Sequence, residues 1–202
     1  YGAYNNMPWD RPYNADGSVN RGTEGGWFGR EQENFLHGWQ YNRNNSNQSG
    51  ADTDVNLTYH IAKGLSFSSY NRVSYTSSKS ELYNDVRSKA GKGLGRLGNG
   101  MGENLSMVSS NRLHYDFNIG LHGFKTLGVV EMEKNRIENR YTTGEGFAPG
   151  LHVMSTASRI LSASGDILEN SFNKGLVQLD YDYAGRYFLS ASYIREYSSR
   201  FG

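Results

Sequence analysis

The sequence predicts an all-β fold, and more narrowly an antiparallel transmembrane β-barrel segment of about six strands from a larger barrel. Three observations carry this. Apolar and polar residues alternate with a period of two over several stretches, which turns one side of each strand to an apolar medium and the other to water. Connections between these stretches alternate strictly between very short and very long, a pattern rare in compact soluble domains and usual in membrane barrels with short periplasmic turns and long extracellular loops. Gly (25), Ser (23) and Asn (20) also fill a third of the 202 positions, which penalises helices and favours turns and polar strand faces.

The elements follow in order. Residues 1–50 are rich in Asn, Gly, Trp and Tyr without a sustained period and read as an extracellular loop region. Residues 51–202 read as barrel strands. Val55, Leu57, Tyr59 and Ile61 oppose Asn56, Thr58 and His60; after a turn near 62–64, Leu65, Phe67, Val73 and Tyr75 oppose Ser66, Ser68, Arg72 and Ser74. A long extracellular loop is expected over 77–104. Leu105, Met107, Leu113, Tyr115 and Phe117 then form an apolar row, and beyond a turn near 118–120 the next strand sets Phe124, Thr126, Gly128, Val130 and Met132 against Lys125, Glu131 and Glu133. A second long loop is expected over 141–171. Val177, Leu179, Tyr181 and Tyr183 form the fifth apolar row, and past a turn near 184–186 Tyr187, Leu189, Ala191 and Tyr193 form the sixth. Aromatic residues lead into every short turn, as girdle residues do at a bilayer interface. Tyr59, Tyr115, Phe117, Tyr181, Tyr183 and Tyr187 are the membrane-interface candidates.

Six strands fall short of the eight in the smallest closed barrels, and an open edge in hydrocarbon leaves unpaired backbone groups costing several kcal/mol each. The chain is therefore expected to be one part of a longer wall. It opens at Tyr1 without an apolar leader, so either processing or a larger parent protein is expected. Ile, Leu, Val and Phe total 40 residues, a fraction at the margin for a self-sufficient core. The 21 basic and 20 acidic residues leave a net charge of +1, which removes the main argument for nucleic acid as a partner. No cysteine is present, so thiolate metal sites and thiol nucleophiles are excluded. No apolar run is long enough for a transmembrane helix.

The run Asp180-Tyr181-Asp182-Tyr183-Ala184-Gly185-Arg186-Tyr187-Phe188-Leu189-Ser190-Ala191-Ser192 with Ser198-Ser199-Arg200-Phe201-Gly202 resembles the barrel of SusC-like TonB-dependent outer-membrane transporters, the RagA/SusC family. Gly144-Glu145-Gly146-Phe147-Ala148-Pro149-Gly150-Leu151, Tyr13-Asn14-Ala15-Asp16-Gly17-Ser18 and Lys63-Gly64-Leu65 are similar to the family's loops and turns in the same order. Where the family usually places Asp-Gly before Ser-Ser-Arg-Phe-Gly, this chain has Glu196-Tyr197, which alters that loop's turn. The resemblance implies a barrel of about 22 strands with a plugged lumen, in the cell outer membrane, with a SusD-like surface lipoprotein as lid. It implies TonB-driven import of glycans (oligosaccharides) or peptides through a plug and TonB box absent from this segment. No cofactor and no enzymatic activity are expected. A secreted carbohydrate-binding β-sandwich module is the alternative, its apolar rows facing a protein core.

Chemistry-bearing motifs are few. Gly93-Leu94-Gly95-Arg96-Leu97-Gly98 matches G-x-G-x-x-G but lacks the preceding strand and following helix of a dinucleotide site, so a mobile Gly-rich loop is expected. Asn14-Ala15-Asp16-Gly17 reads as an Asp-Gly turn, without the later Glu of a calcium loop. Asp52/Asp54, Glu131/Glu133 and Asp180/Asp182 each place two carboxylates on one strand face about 7 Å apart; in a water-filled lumen both members of a pair stay solvated, against the asymmetry acid/base catalysis needs. The five His residues lack ligand spacing. Trp9, Trp27, Trp39 and Arg30 lie in the first loop region and are the candidate substrate-binding residues: flat rings suit sugar faces and Arg30 suits polar groups. Packing of the loop against itself or a lid is the competing reading for the Trp rings.

Overall fold

A computed structural model describes residues 7–22, 27–29 and 33–199. Six long strands, β1 (Arg43–Ala62), β2 (Leu65–Asn84), β3 (Arg96–Ile119), β4 (His122–Glu145), β5 (Arg159–Tyr183) and β6 (Tyr187–Ser198), follow one helix, α1 (Phe35–Tyr41). They form one sheet in the sequential order β1-β2-β3-β4-β5-β6, the up-and-down meander that tight turns dictate. Between β5 and β6 the register pairs Val177 with Tyr193 and Gly175 with Arg195. A sandwich needs a second sheet packed on the first; the described strands make a single sheet whose apolar rows stay exposed, so the sandwich alternative is set aside.

The short turns fall close to their expected places, at Lys63-Gly64, Gly120-Leu121 and 184–186, the middle one displaced toward the C-terminus. Gly64 has φ +78°, and a side chain there would collide with the Asp116 carbonyl of β3. Asp116 N–H in turn donates to Gly64 C=O at 2.8 Å.

The strands run further than the apolar alternation indicates. β1 starts at Arg43, inside the expected loop region 1–50, and the long connections shrink from 77–104 to 85–95 and from 141–171 to 146–158. The reason is physical. A ladder needs only backbone pairing, so a strand with water on both sides continues without an apolar face, and stretches such as 43–50 (Arg-Asn-Asn-Ser-Asn-Gln-Ser-Gly) carry no alternation to read. Helix α1 also lies within the expected loop, capped by the Asn34 side chain, which accepts from Leu36 N–H at 3.1 Å.

The chain divides into two compact units, each drawing on several strands. One unit comprises residues 49–77, 103–138 and 167–202. Its apolar rows are exposed, with Leu57, Val73, Leu113, Met132, Val177 and Leu189 all among the exposed large hydrophobic residues. On β6 the row extends from Tyr187 to the first charge at Arg195, and on β3 from Leu105 to Phe117, where Ser109 and Asn111 interrupt the apolar residues, Ser109 accepting from Asn111 and donating to Asn71. At about 3.4 Å per residue these runs measure about 27–41 Å along the strand. With a typical tilt near 40° they span roughly 20–30 Å, bracketing the ~25 Å apolar band of membrane barrels. The alternate positions are polar and interlinked: Arg72 pairs with Asp54 at 2.6 Å, and Glu131 accepts from Ser110 at 3.1 Å and lies 3.8 Å from Lys174.

The other unit comprises residues 1–48, 78–102 and 139–166 and holds a small true core: Tyr83, Leu97 and Phe147 are buried, with Met154 and Ala157 packed against them. Near its N-terminal end the Asp-Gly turn expected at 14–17 is present. Asn14 N–H donates to Ser18 C=O at 2.8 Å, and Gly17 has φ +82°. Asp16 accepts from both Ser18 N–H and Ser18 Oγ, which holds its carboxyl below the usual range and spends it on turn formation.

Candidate functional site

At the start of β3 every second residue is glycine: Gly98, Gly100 and Gly102. A strand's period of two places all three on one face, stripping it of side chains. Glycine weakens a strand and marks close approach of a neighbour, and here the neighbours are identifiable. A Cβ at Gly98 would lie 2.8 Å from the Tyr141 hydroxyl, one at Gly100 2.5 Å from Ser80 Oγ, and one at Gly102 2.8 Å from Ser78 Oγ. The result is a groove of about 410 Å³ floored by Gly100 and Gly102 and walled by Ser46, Ser78, Ser80, Asn139 and Tyr141. Asn139 Nδ2 donates to Asp166 at 3.1 Å, which orients its amide. Lys79, Met101 and Arg140 complete the lining, so the groove offers hydroxyl and amide groups for hydrogen bonds to a polar chain beside two cationic residues.

The same unit ties its two long connections together through Asp85. The Asp85 residue is 1% exposed, and its carboxylate accepts from Arg87 N–H (3.0 Å), Arg87 Nε (2.7 Å), Arg87 Nη2 (3.0 Å), Tyr83 OH (3.1 Å) and Gly150 N–H (3.3 Å). Its own N–H donates to Asn42, at the end of α1. The Arg87 guanidinium holds the Asp85 carboxyl well below the ordinary carboxylate range against the opposing effect of burial, and Asp85 raises Arg87 in return. Arg87 also lies 3.9 Å over the Tyr41 ring. The G-x-G-x-x-G segment expected to be a mobile loop is instead bonded at both ends. Gly93 and Gly95 sit at φ +74° and +70°, Leu94 C=O accepts from Phe147 N–H, Gly95 C=O accepts from Gly146 N–H, and Gly98 belongs to β3.

Of the residues singled out from sequence, Trp9 and Trp39 are strongly exposed, at 64% and 77%. Trp27 is half-buried, with its indole Nε1 buried and unpartnered. None of the three lines the groove, and Arg30 lies outside the described residues. Most of the aromatic residues expected at a membrane interface lie in contact with one another or with Phe124. Tyr115 stacks on Phe117 (4.7 Å between centroids), Phe117 on Phe124 (4.9 Å), Phe124 meets Tyr181 (5.2 Å), and Tyr183 meets Tyr187 (6.5 Å). His122, absent from the sequence-based set, bridges Tyr181 and Tyr183 and hydrogen-bonds the Tyr181 hydroxyl at 2.7 Å. The ladder crosses four strands. Tyr59 stands exposed on β1, outside it. The carboxylate pairs are engaged with their own strand faces: Asp54 with Arg72, Asp52 with Ser74, and Asp180 with Gln178 at 2.9 Å.

Exposed apolar rows opposite a polar, ion-paired face define a segment of a transmembrane β-barrel wall. No helix among the described residues is long and apolar enough to cross a membrane, which says nothing about strands. No known family profile matches the chain, and no curated protein matches it. Solved structures do. The chain is similar to one in the structure of the RagAB peptide transporter, with a TM-score of 0.76 at 15% identity, covering 95% of this chain and 22% of that one. It is similarly close to the RagAB peptide importer in its closed-closed state (TM-score 0.76, 16% identity, 95% and 22% coverage) and its open-open state (0.73, 15%, 94% and 21%). The fold is thus shared with part of those chains, and this chain spans about a fifth of their length.

Proposed function

We propose that this chain is a wall segment of a SusC-like outer-membrane importer, non-enzymatic, that takes up peptides with a SusD-like lipoprotein lid and TonB as energy source. The observation that carries the proposal is the division of one six-stranded sheet into exposed apolar rows and a hydrogen-bonded polar face, on a fold matched over 95% of the chain by a peptide transporter. Apolar rows meet acyl chains, the polar face meets the lumen, and strands of the parent barrel pair the free edges of β1 and β6. The short turns then face the periplasm and the long connections the exterior.

The glycine-floored groove supplies the substrate contact. Ser78 and Ser80 stand two residues apart on β2, about 7 Å by strand rise, the repeat at which an extended peptide presents successive carbonyls to one side. That spacing favours a peptide over a glycan. Exposed rings at Trp9 and Trp39 favour oligosaccharide instead, which makes the glycan the second reading. Binding of an unbiased oligopeptide mixture and of oligosaccharides to the full-length barrel, by calorimetry, separates the two. Peptide binding that is lost in Gly100→Leu, with the barrel still folded by its heat-modifiable gel mobility, is the expected result. Oligosaccharide binding alone, or peptide binding unaffected by Gly100→Leu, contradicts the proposal.

A further inference from the structure

The apolar face carries a second groove, of about 400 Å³. Its lining includes Phe67 on β2, Leu113 on β3, Gly128 on β4, Gly175 on β5, and Tyr193 and Arg195 on β6. Gly128 and Gly175 make the depression: a Cβ at either would meet nothing within 4 Å, so no packed neighbour explains these glycines. Each removes a side chain from a face that carries Phe67, Leu113, Val177 and Tyr193 around the groove, with Asn111 also in its lining. The groove runs across the strands from Phe67 to Tyr193, which pairs with Val177 next to Gly175.

Its β6 end carries a cation. Arg195 lies directly opposite Gly175 in the ladder, so no β5 side chain opposite it can neutralise it, and among the described residues it forms no ion pair. Its guanidinium is held 4.7 Å over the Tyr197 ring. Lys174 and Glu196, the flanking charged pair, belong to the opposite face by the strand period. A lone guanidinium at the margin of a hydrocarbon-facing row is expensive unless an anion meets it, and guanidinium matches phosphate oxygens in a planar fork.

We propose that this groove binds a phosphorylated acyl glycolipid of the outer leaflet, one acyl chain lying over Gly128 and Gly175 and a phosphate on Arg195. This rests on the membrane-barrel reading. Arg195 lies on the β6 side away from the turn at 184–186, the half that faces the outer leaflet when short turns are periplasmic. In a bacterial outer membrane that leaflet consists of acylated, phosphorylated glycolipid.

Native mass spectrometry of the detergent-extracted full-length barrel with added lipid A tests the idea, using dephosphorylated lipid A and phosphatidylglycerol as parallel arms. Lipid A should be retained. Arg195→Gln should weaken retention about tenfold, equivalent to about 1.4 kcal/mol, and Gly175→Leu, which fills the depression while leaving Arg195 in place, should weaken it comparably. Gel mobility confirms that each variant is folded. Equal retention by wild type and both variants overturns the proposal, as does phosphatidylglycerol binding as well as lipid A. Recovery of the parent protein in buffer without detergent would instead defeat the membrane reading itself, so the two failures are distinguishable.

Discussion

Replacing Asp85 by Ala removes the acceptor for five hydrogen bonds, three from Arg87 and one each from Tyr83 and Gly150. Removing one partner of a buried ion pair costs about 3–5 kcal/mol. Here the Arg87 side chain is 46% exposed and can rehydrate, which reduces the expected cost to about 2–3 kcal/mol. The loss falls on the connections 85–95 and 146–158 and not on the ladder, because none of the broken bonds joins paired strands. Opening of those connections should therefore rise about 30- to 150-fold at 1.4 kcal/mol per tenfold. Hydrogen exchange followed by mass spectrometry on the folded barrel reads this directly. Peptides covering Ser88, Gly91, Phe147 and Gly150 should exchange faster by that factor, while those from 113–117 and 177–183 stay unchanged. Exchange at Gly150 and Ser88 within threefold of wild type would refute the assignment of Asp85 as the tie between the two connections.

Other expectations are quickly stated. Because the folded-state Asp85 carboxyl titrates below its unfolded value near 3.9, its stabilisation is fully present above that value and is lost as pH falls through the folded one. Exchange of Gly150 should thus be flat, after correction for intrinsic rates, from pH 5 to 8 and accelerate only in stronger acid; a midpoint near neutrality would contradict this. Leu57→Arg puts a charge on the apolar row of β1 and should destabilise the barrel in bilayers by about 2–4 kcal/mol, whereas Asn56→Arg, on the other face, should cost under about 1 kcal/mol, both read from urea titrations in liposomes.

Much of the fold was legible because membrane strands carry two solvents on their two faces. The rows at 55–61, 113–117, 177–183 and 187–193 alternate visibly, and the tight turns carry Gly64, Gly120 and Gly185. The extensions at 43–50, 77–84 and 96–104 were not legible: 43–50 is exposed throughout and has no polarity contrast to display, and Tyr83 and Leu97 are buried one by one among polar residues and glycines. Gly98, Gly100 and Gly102 do show the strand period, but glycine is equally a turn residue. Only the placement of Tyr141, Ser78 and Ser80 against them shows a groove. Asp85 joins residues 42, 87 and 150, an association across two connections that no local pattern encodes. His122 escaped because a single histidine beside a turn is unremarked until Tyr181 and Tyr183 are seen to flank it.

The central claim is that odd-numbered residues of 55–61 touch acyl chains and even-numbered ones face water. Since this segment has no cysteine, single cysteines placed in turn at 55 through 61 in the full-length barrel, with any cysteine elsewhere replaced, can carry a fluorophore and be challenged with brominated lipid and aqueous iodide. Quenching by brominated lipid at 55, 57, 59 and 61, with iodide quenching at 56, 58 and 60, is the predicted result. Uniform quenching along the strand, or the opposite phase, would contradict the account.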